Sequence, residues 1–140
     1  MNLSRQARLM TGLSLLAVPT VMYGGATLLG ILTRGGAGLQ PGGLTLDETQ
    51  WALFRAGHAH AGVWMILAIV IQVLLDSAAL SAGVKWLTRI VAPLAAVTMS
   101  AGFFALALTG TAWAIYLGAT MLLLVAVLTG IGLLRARGDV

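Results

Sequence analysis

An all-α integral membrane protein, a four-helix transmembrane bundle, is the fold class this sequence predicts, and three observations predict it. The 140 residues are 59% hydrophobic and only 9% charged, with a mean hydropathy of +0.98, well outside the range of a soluble domain. Four apolar runs, over residues 9–31, 51–75, 87–108 and 111–134, each hold the ~20 residues that cross ~30 Å of hydrocarbon as a helix. The basic residues, eight Lys plus Arg against four acids, gather at the ends of these runs. They form no surface stripe, so nucleic acid is not an expected partner; the lipid bilayer is. All 140 residues form one membrane domain.

The first run follows Arg5 and Arg8 and exceeds the h-region of a secretory signal, so it reads as a retained helix. Pro19 within it removes a backbone donor and is expected to bend it. The segment after it, "TRGGAGLQPGGL", is rich in glycine and has no apolar period. "TLDE", at Thr45 to Glu48, fits a capping box, with the Thr45 hydroxyl and the Glu48 carboxylate satisfying orphan amides of the second helix. The third run carries Pro93. Only "TGT", Thr109 to Thr111, separates it from the fourth, so these two helices are antiparallel neighbours.

Arg5, Arg8, Lys85, Arg89, Arg135 and Arg137 fall on one side of the membrane, and Arg34, Asp47 and Glu48 on the other. The positive-inside rule then places both termini in the cytoplasm of a cell carrying the chain in its inner or plasma membrane. Trp51, Trp86 and Trp113 lie near span ends, as interfacial anchors do.

The absence of cysteine excludes disulfides, thiolate ligands, iron–sulfur clusters and covalent thioether attachment of heme. A metal must be held by His, Met, carboxylate or backbone groups. No phosphate-binding glycine loop and no Ser-His-Asp set is present, which leaves hydrolase, kinase and nucleotide-binding activities without support.

One stretch departs from the apolar background. "FRAGHAHAGVW", residues 54–64, contains Arg55 and both histidines of the chain, His58 and His60. If the second helix enters the hydrocarbon near Trp51, the imidazoles lie ~10 and ~13 Å further along its axis, in the outer half of the bilayer. Residues two apart are ~200° apart around a helix, so the histidines face opposite ways and do not chelate one ion as an i, i+4 pair would. The spacing suits one ligand for each of two sites, or one ligand and one structural histidine.

Arg55 precedes His58 by three residues and shares its face. A cation above an imidazole suits an amphiphilic anionic macrocycle, with iron on nitrogen and propionates on Arg at the rim. Ala56, Gly57, Ala59, Ala61 and Gly62 leave room for a flat cofactor, or for a close-packed helix.

"GHAHAGVW", Gly57 to Trp64, resembles the His-x-His segment in the catalytic subunit of heme-copper oxidases and nitric-oxide reductases, where two histidines on opposite faces of one helix ligate different hemes. The resemblance covers eight residues and implies that His58 and His60 are axial ligands of b-type heme. The chain has no further histidine for a copper site or for an opposite axial position, so dioxygen reduction by this chain alone is not expected.

Met22 and Tyr23 in the first span and Met99 in the third lie at similar depth, and methionine can be an axial ligand. Trp64, one turn beyond His60, can pack on a ring bound there or in the core; Phe103 and Phe104 read as packing residues. A head-to-tail homo-oligomer can place His58 of one chain opposite His60 of the next. The expected function is therefore a heme-binding membrane protein for electron transfer, heme handling or gas sensing.

The alternatives are copper or no cofactor at all, the histidines then being structural in an accessory or scaffold subunit of a larger membrane complex. Proton-coupled transport has less behind it, because Asp76 lies ~24 Å along the helix from His60.

Overall fold

The computed structural model describes residues 3–32 and 46–136. It contains four helices, α1 (Arg5–Leu32), α2 (Glu48–Ser77), α3 (Ala82–Thr109) and α4 (Trp113–Arg135), and no strand among the described residues. Each helix is long and apolar enough to cross a membrane. Large apolar side chains such as Leu16, Ile66, Leu123 and Leu134 cover its outside, a surface that lipid tolerates and water does not. The chain is a multi-pass membrane protein.

α1, α2 and α3 run past their apolar spans at both ends, because hydrogen bonding continues into the interface where hydrophobicity stops, whereas α4 starts two residues inside its span and ends one residue beyond it. α2 begins at Glu48 with Asp47 as its N-cap. The capping box is Asp47 with Gln50, whose backbone N–H donates to the Asp47 carboxylate at 2.8 Å while the Gln50 side-chain oxygen accepts from the Asp47 N–H at 3.0 Å. The box expected from Thr45 and Glu48 is thus displaced by two residues; Thr45, Arg34 and Arg137 lie outside the described residues, as does the glycine-rich segment of 33–44. α1 and α3 run as continuous helices through Pro19 and Pro93.

α2 and α3 form the centre, with α1 packed mainly on α2 and α4 mainly on α3. The α3–α4 turn is as short as expected. Gly110 caps α3 in the left-handed region at φ 74° and donates to the Leu106 carbonyl at 3.0 Å, a conformation glycine adopts without a Cβ clash. Below the turn the two backbones nearly touch: a Cβ on Gly118 would lie 2.5 Å from the Met99 amide nitrogen. Backbone cannot yield as a side chain can, so Gly118→Ala is expected to cost about 2 kcal/mol. Gly62, with open space around it, is the control; SDS-titrated unfolding in detergent of Gly118→Ala beside Gly62→Ala checks the difference.

Apolar packing concentrates in two places. One cluster of Ala68, Ile71, Leu75, Ala78, Ala92 and Val125 fills the Asp76 end of the bundle. The other, Leu28, Phe54 and Ala107 with Leu46, Leu53 and Phe104 against it, fills the opposite end.

The Asp76 end also holds a polar network that corrects one expectation. Arg89 is not a loop charge: it is 1% exposed, among the most buried side chains of the protein. Its guanidinium donates through Nη2 to Asp76 at 2.5 Å and through Nη1 to the Gln72 carbonyl at 2.5 Å. The Gln72 amide donates back to the Arg89 carbonyl at 2.9 Å. A fork of fixed geometry bridges two groups one turn apart on α2, which a lysine cannot do. Asp76 further accepts from the Ser4 N–H at 2.8 Å and the Ser4 hydroxyl at 2.7 Å. Since the Ser4 oxygen also accepts from the Ala7 N–H at 3.1 Å, the residue capping α1 ties that helix to α2.

Candidate functional site

α2 is one uninterrupted helix through Gly57 and Gly62. The ~200° between His58 and His60 therefore survives folding, and the two imidazoles meet different helices. His58 faces α1, where a Cβ on Gly25 would stand 2.8 Å from its Nε2 and 2.9 Å from its Cε1. His60 faces α3, its ring centroid 4.6 Å from that of Phe103.

Beside His58 lies a cleft of about 450 Å³. Ala17, Thr20, Val21, Tyr23, Gly24, Thr27 and Leu28 of α1 form one wall, Phe54, His58, Ala61 and Met65 of α2 another, and Val97 and Phe104 of α3 the third. Tyr23, Gly24 and Val97 are exposed on the outside of the bundle, so the cleft opens sideways toward lipid. The Thr20 and Thr27 hydroxyls are engaged by their own helix, donating to the carbonyls of Ala17 at 2.5 Å and Tyr23 at 3.0 Å. His58 makes no hydrogen bond to any described residue, although an imidazole carries one donor and one acceptor even when neutral.

His60 differs. Its Nδ1–H donates to the Ala56 carbonyl, four residues back, at 2.7 Å. A carbonyl only accepts, so the bond requires a proton on Nδ1; in the neutral ring that tautomer carries the lone pair on Nε2. The Trp64 ring stands 6.2 Å away at 46°. Trp64 itself lines a smaller hollow of about 240 Å³ with Leu67, Met99, Ala119, Leu122, Leu123 and Ala126, and its indole N–H is buried with no partner among the described residues.

The sequence-predicted site residues therefore fall into three groups. His58 and Tyr23 share the cleft. His60, Trp64 and Met99 belong to the α3 side of α2. Arg55 lies toward the N-terminal end of α2, bordering a surface hollow with Leu46, Asp47, Glu48 and Trp51, and does not line the cleft. Met22 is 69% exposed on the outward side of α1 and does not face His58. Gly57, read as room for a cofactor or as close packing, serves packing: a Cβ there would lie 3.1 Å from both the Ser100 carbonyl oxygen and Phe103 Cβ. Phe54 and Phe104, in edge contact at 5.2 Å, close the end of the cleft away from Asp76. Their role and that of Gly25 were not visible from periodicity, because they depend on which way α1 is turned.

No group of three or more His, Cys, Asp or Glu among the described residues is placed to hold a metal ion. No family model matches this chain, and no curated protein and no solved structure matches it.

Proposed function

We propose that this chain binds a b-type heme in the lateral cleft through His58 and serves in electron transfer, heme handling or gas sensing. The observation that carries the reading is an imidazole without a hydrogen-bond partner among the described residues, on the wall of an apolar cleft. Ionisable side chains inside a membrane are costly and mark functional sites by default. The cleft's ~450 Å³ lies within the ~300–1,000 Å³ typical of ligand sites, and the residue against His58 is Gly25, whose backbone the imidazole abuts with no side chain between them. A porphyrin brings four nitrogens of its own and needs one or two from protein, whereas a bare copper ion would need a cluster of side chains. The donor set thus favours heme over copper. Bound there, heme supplies a one-electron couple and an iron that coordinates small ligands.

The side chains divide the work. His58 offers the nitrogen; Phe54, Phe104 and Met65 keep water from it; Tyr23 presents a phenol from the opposing wall. Arg55, further out along α2, is placed to pair with propionates at the membrane surface. His60, its tautomer set by the Ala56 carbonyl in the way metal-bound histidines commonly are, offers Nε2 to a second site. That site takes its other wall from a neighbouring copy or another subunit, with Met99 and Trp64 behind it. Because α1 covers His58, an oligomer does not complete the first site, and Met22 meets a neighbour only at such an interface. The basic residues Arg5, Arg8, Lys85 and Arg135 orient both termini to the cytoplasm of the inner or plasma membrane, which puts the cleft in the outer half.

One observation favours a second reading, a small accessory subunit with structural histidines: His60 is already bonded within its own helix and packed on Phe103.

The test is the visible spectrum of the purified, hemin-supplemented protein, oxidised and reduced. No Soret band in that material would sink the heme reading. Tyr23→Phe is expected to shift the band, whereas Met22→Ala leaves it in place; a shift with Met22→Ala and none with Tyr23→Phe reverses the assignment of the facing wall.

A further inference from the structure

We infer that the cleft is loaded sideways from the bilayer, by outward movement of the outer half of α1 about an anchor at its inner end, so that its ligand is a membrane-dissolved molecule. Four observations lead there.

The cleft is stoppered along the membrane normal. Leu28, Phe54 and Ala107, each less than a tenth exposed, close one end. Ala68, Ile71 and Leu75 pack beyond Met65 toward the other. Among the described residues its exposed rim is Thr20, Tyr23, Gly24 and Val97, which face lipid.

α1 is also the least embedded helix. Only 11% of its membrane window is buried inside the protein, against 28% to 33% for the other three. Helix association in lipid rests on such packing and on interhelical hydrogen bonds, so this wall moves at least cost.

Among the described residues, the side-chain hydrogen bonds that tie α1 to α2 lie at the Ser4 end, while toward its other end Leu28 packs by apolar contact. Ser4 grips the Asp76 carboxylate twice, at 2.8 and 2.7 Å, and Asp76 is held by buried Arg89. Opposite His58, by contrast, α1 presents the bare backbone of Gly25. Within the anchor-side end of the cleft's α1 wall, between Ala17 and Thr20, stands Pro19, which lacks the N–H that would bond the carbonyl four residues back and so supplies a bending point.

Finally, Nε2 of His58 abuts Gly25. Nothing reaches that nitrogen from the α1 side until α1 withdraws, so access and coordination are one event.

The identity of the ligand rests on the heme reading; the movement does not. The chain has no cysteine, so spin labels can be placed at will. Two pairs of exposed sites report the two ends in lipid vesicles: Ala26→Cys with Leu108→Cys across the outer end, and Leu9→Cys with Leu87→Cys across the inner. The expected distance distribution is broad for the outer pair, longer after hemin is added, and narrow and unchanged for the inner pair. An outer pair as narrow as the inner one overturns the movement, whether or not hemin binds. A broad outer pair in a protein that never develops a Soret band supports the gate and removes heme as its ligand. In a second arm, Leu28→Cys and Ala107→Cys, which share one apolar cluster, are joined by a short bis-methanethiosulfonate crosslinker, whose two disulfides a thiol reductant cleaves. Hemin uptake is then expected to slow about tenfold or more and to recover on reduction; uptake at an unchanged rate overturns the route.

Discussion

Arg89→Ala is expected to destabilise the bundle by about 3 kcal/mol, the lower end of the ~3–5 kcal/mol typical when one partner of a buried ion pair is removed. The lower end applies because Asp76 keeps 21% of its side-chain surface exposed while Arg89 keeps 1%. Truncation leaves the Gln72 carbonyl without its 2.5 Å donor and opens a space between α2 and α3 where the longest buried side chain stood. Arg89→Lys is expected to recover less than half of the loss, since one ammonium cannot serve Gln72 and Asp76 together. Asp76→Asn is expected to cost about as much as Arg89→Ala, ~3 kcal/mol, because the amide oxygen can replace Oδ1 toward the Ser4 hydroxyl and Arg89 but leaves the Ser4 N–H facing an NH2 and the buried guanidinium without its counter-charge. Unfolding in mixed micelles titrated with SDS orders the three; Asp76→Asn more harmful than Arg89→Ala would show that the carboxylate, not the guanidinium, organises this end.

The second large effect concerns His58. Loss of groups that merely orient a ligating histidine weakens metal affinity ~10–100-fold, so His58→Ala, which deletes the nitrogen itself, is expected to weaken hemin binding by more than about 100-fold. His60→Ala is expected to keep the His58-dependent Soret band, with the heme stoichiometry halved if the second site is filled. Imidazole added to His58→Ala is expected to restore the band, which a purely structural role for His58 would not allow. Helical circular dichroism separates lost binding from lost fold: His58 makes no hydrogen bond to a described residue and contacts α1 at a glycine, so its removal leaves the helices intact. Loss of the band in His60→Ala alone would transfer the site to the α3 side of α2.

The architecture was legible because a bilayer turns apolar run length into helix count. The opposed faces of His58 and His60 were legible too, since α2 stays regular across both glycines and helical periodicity then does all the geometry. What periodicity does not carry is the rotation of one helix against another. That rotation decides that Tyr23 rather than Met22 borders the cleft, that Gly25 meets His58, and that Arg55 stays outside it. Arg89 was misread for a related reason. A base at the end of an apolar run looks the same in sequence whether it faces cytoplasm or is folded onto an acid thirteen residues earlier, and only the α2–α3 packing tells them apart. The capping box moved from Thr45 to Asp47 because both stretches offer an acceptor followed three residues later by a Glu or Gln, and local chemistry alone does not rank them.

The order of Asp76 and Arg89 along the chain matters for how the protein enters the membrane. Synthesis delivers the acid first, at the end of α2, and the base thirteen residues later within α3. A lone arginine in a segment being inserted resists partition by roughly 2.5–3.5 kcal/mol at mid-helix, less near an end. Here the counter-charge is already waiting when the guanidinium emerges, so α2 and α3 can partition as a neutralised hairpin. Ser4, made before either, is then free to bring α1 against the finished pair.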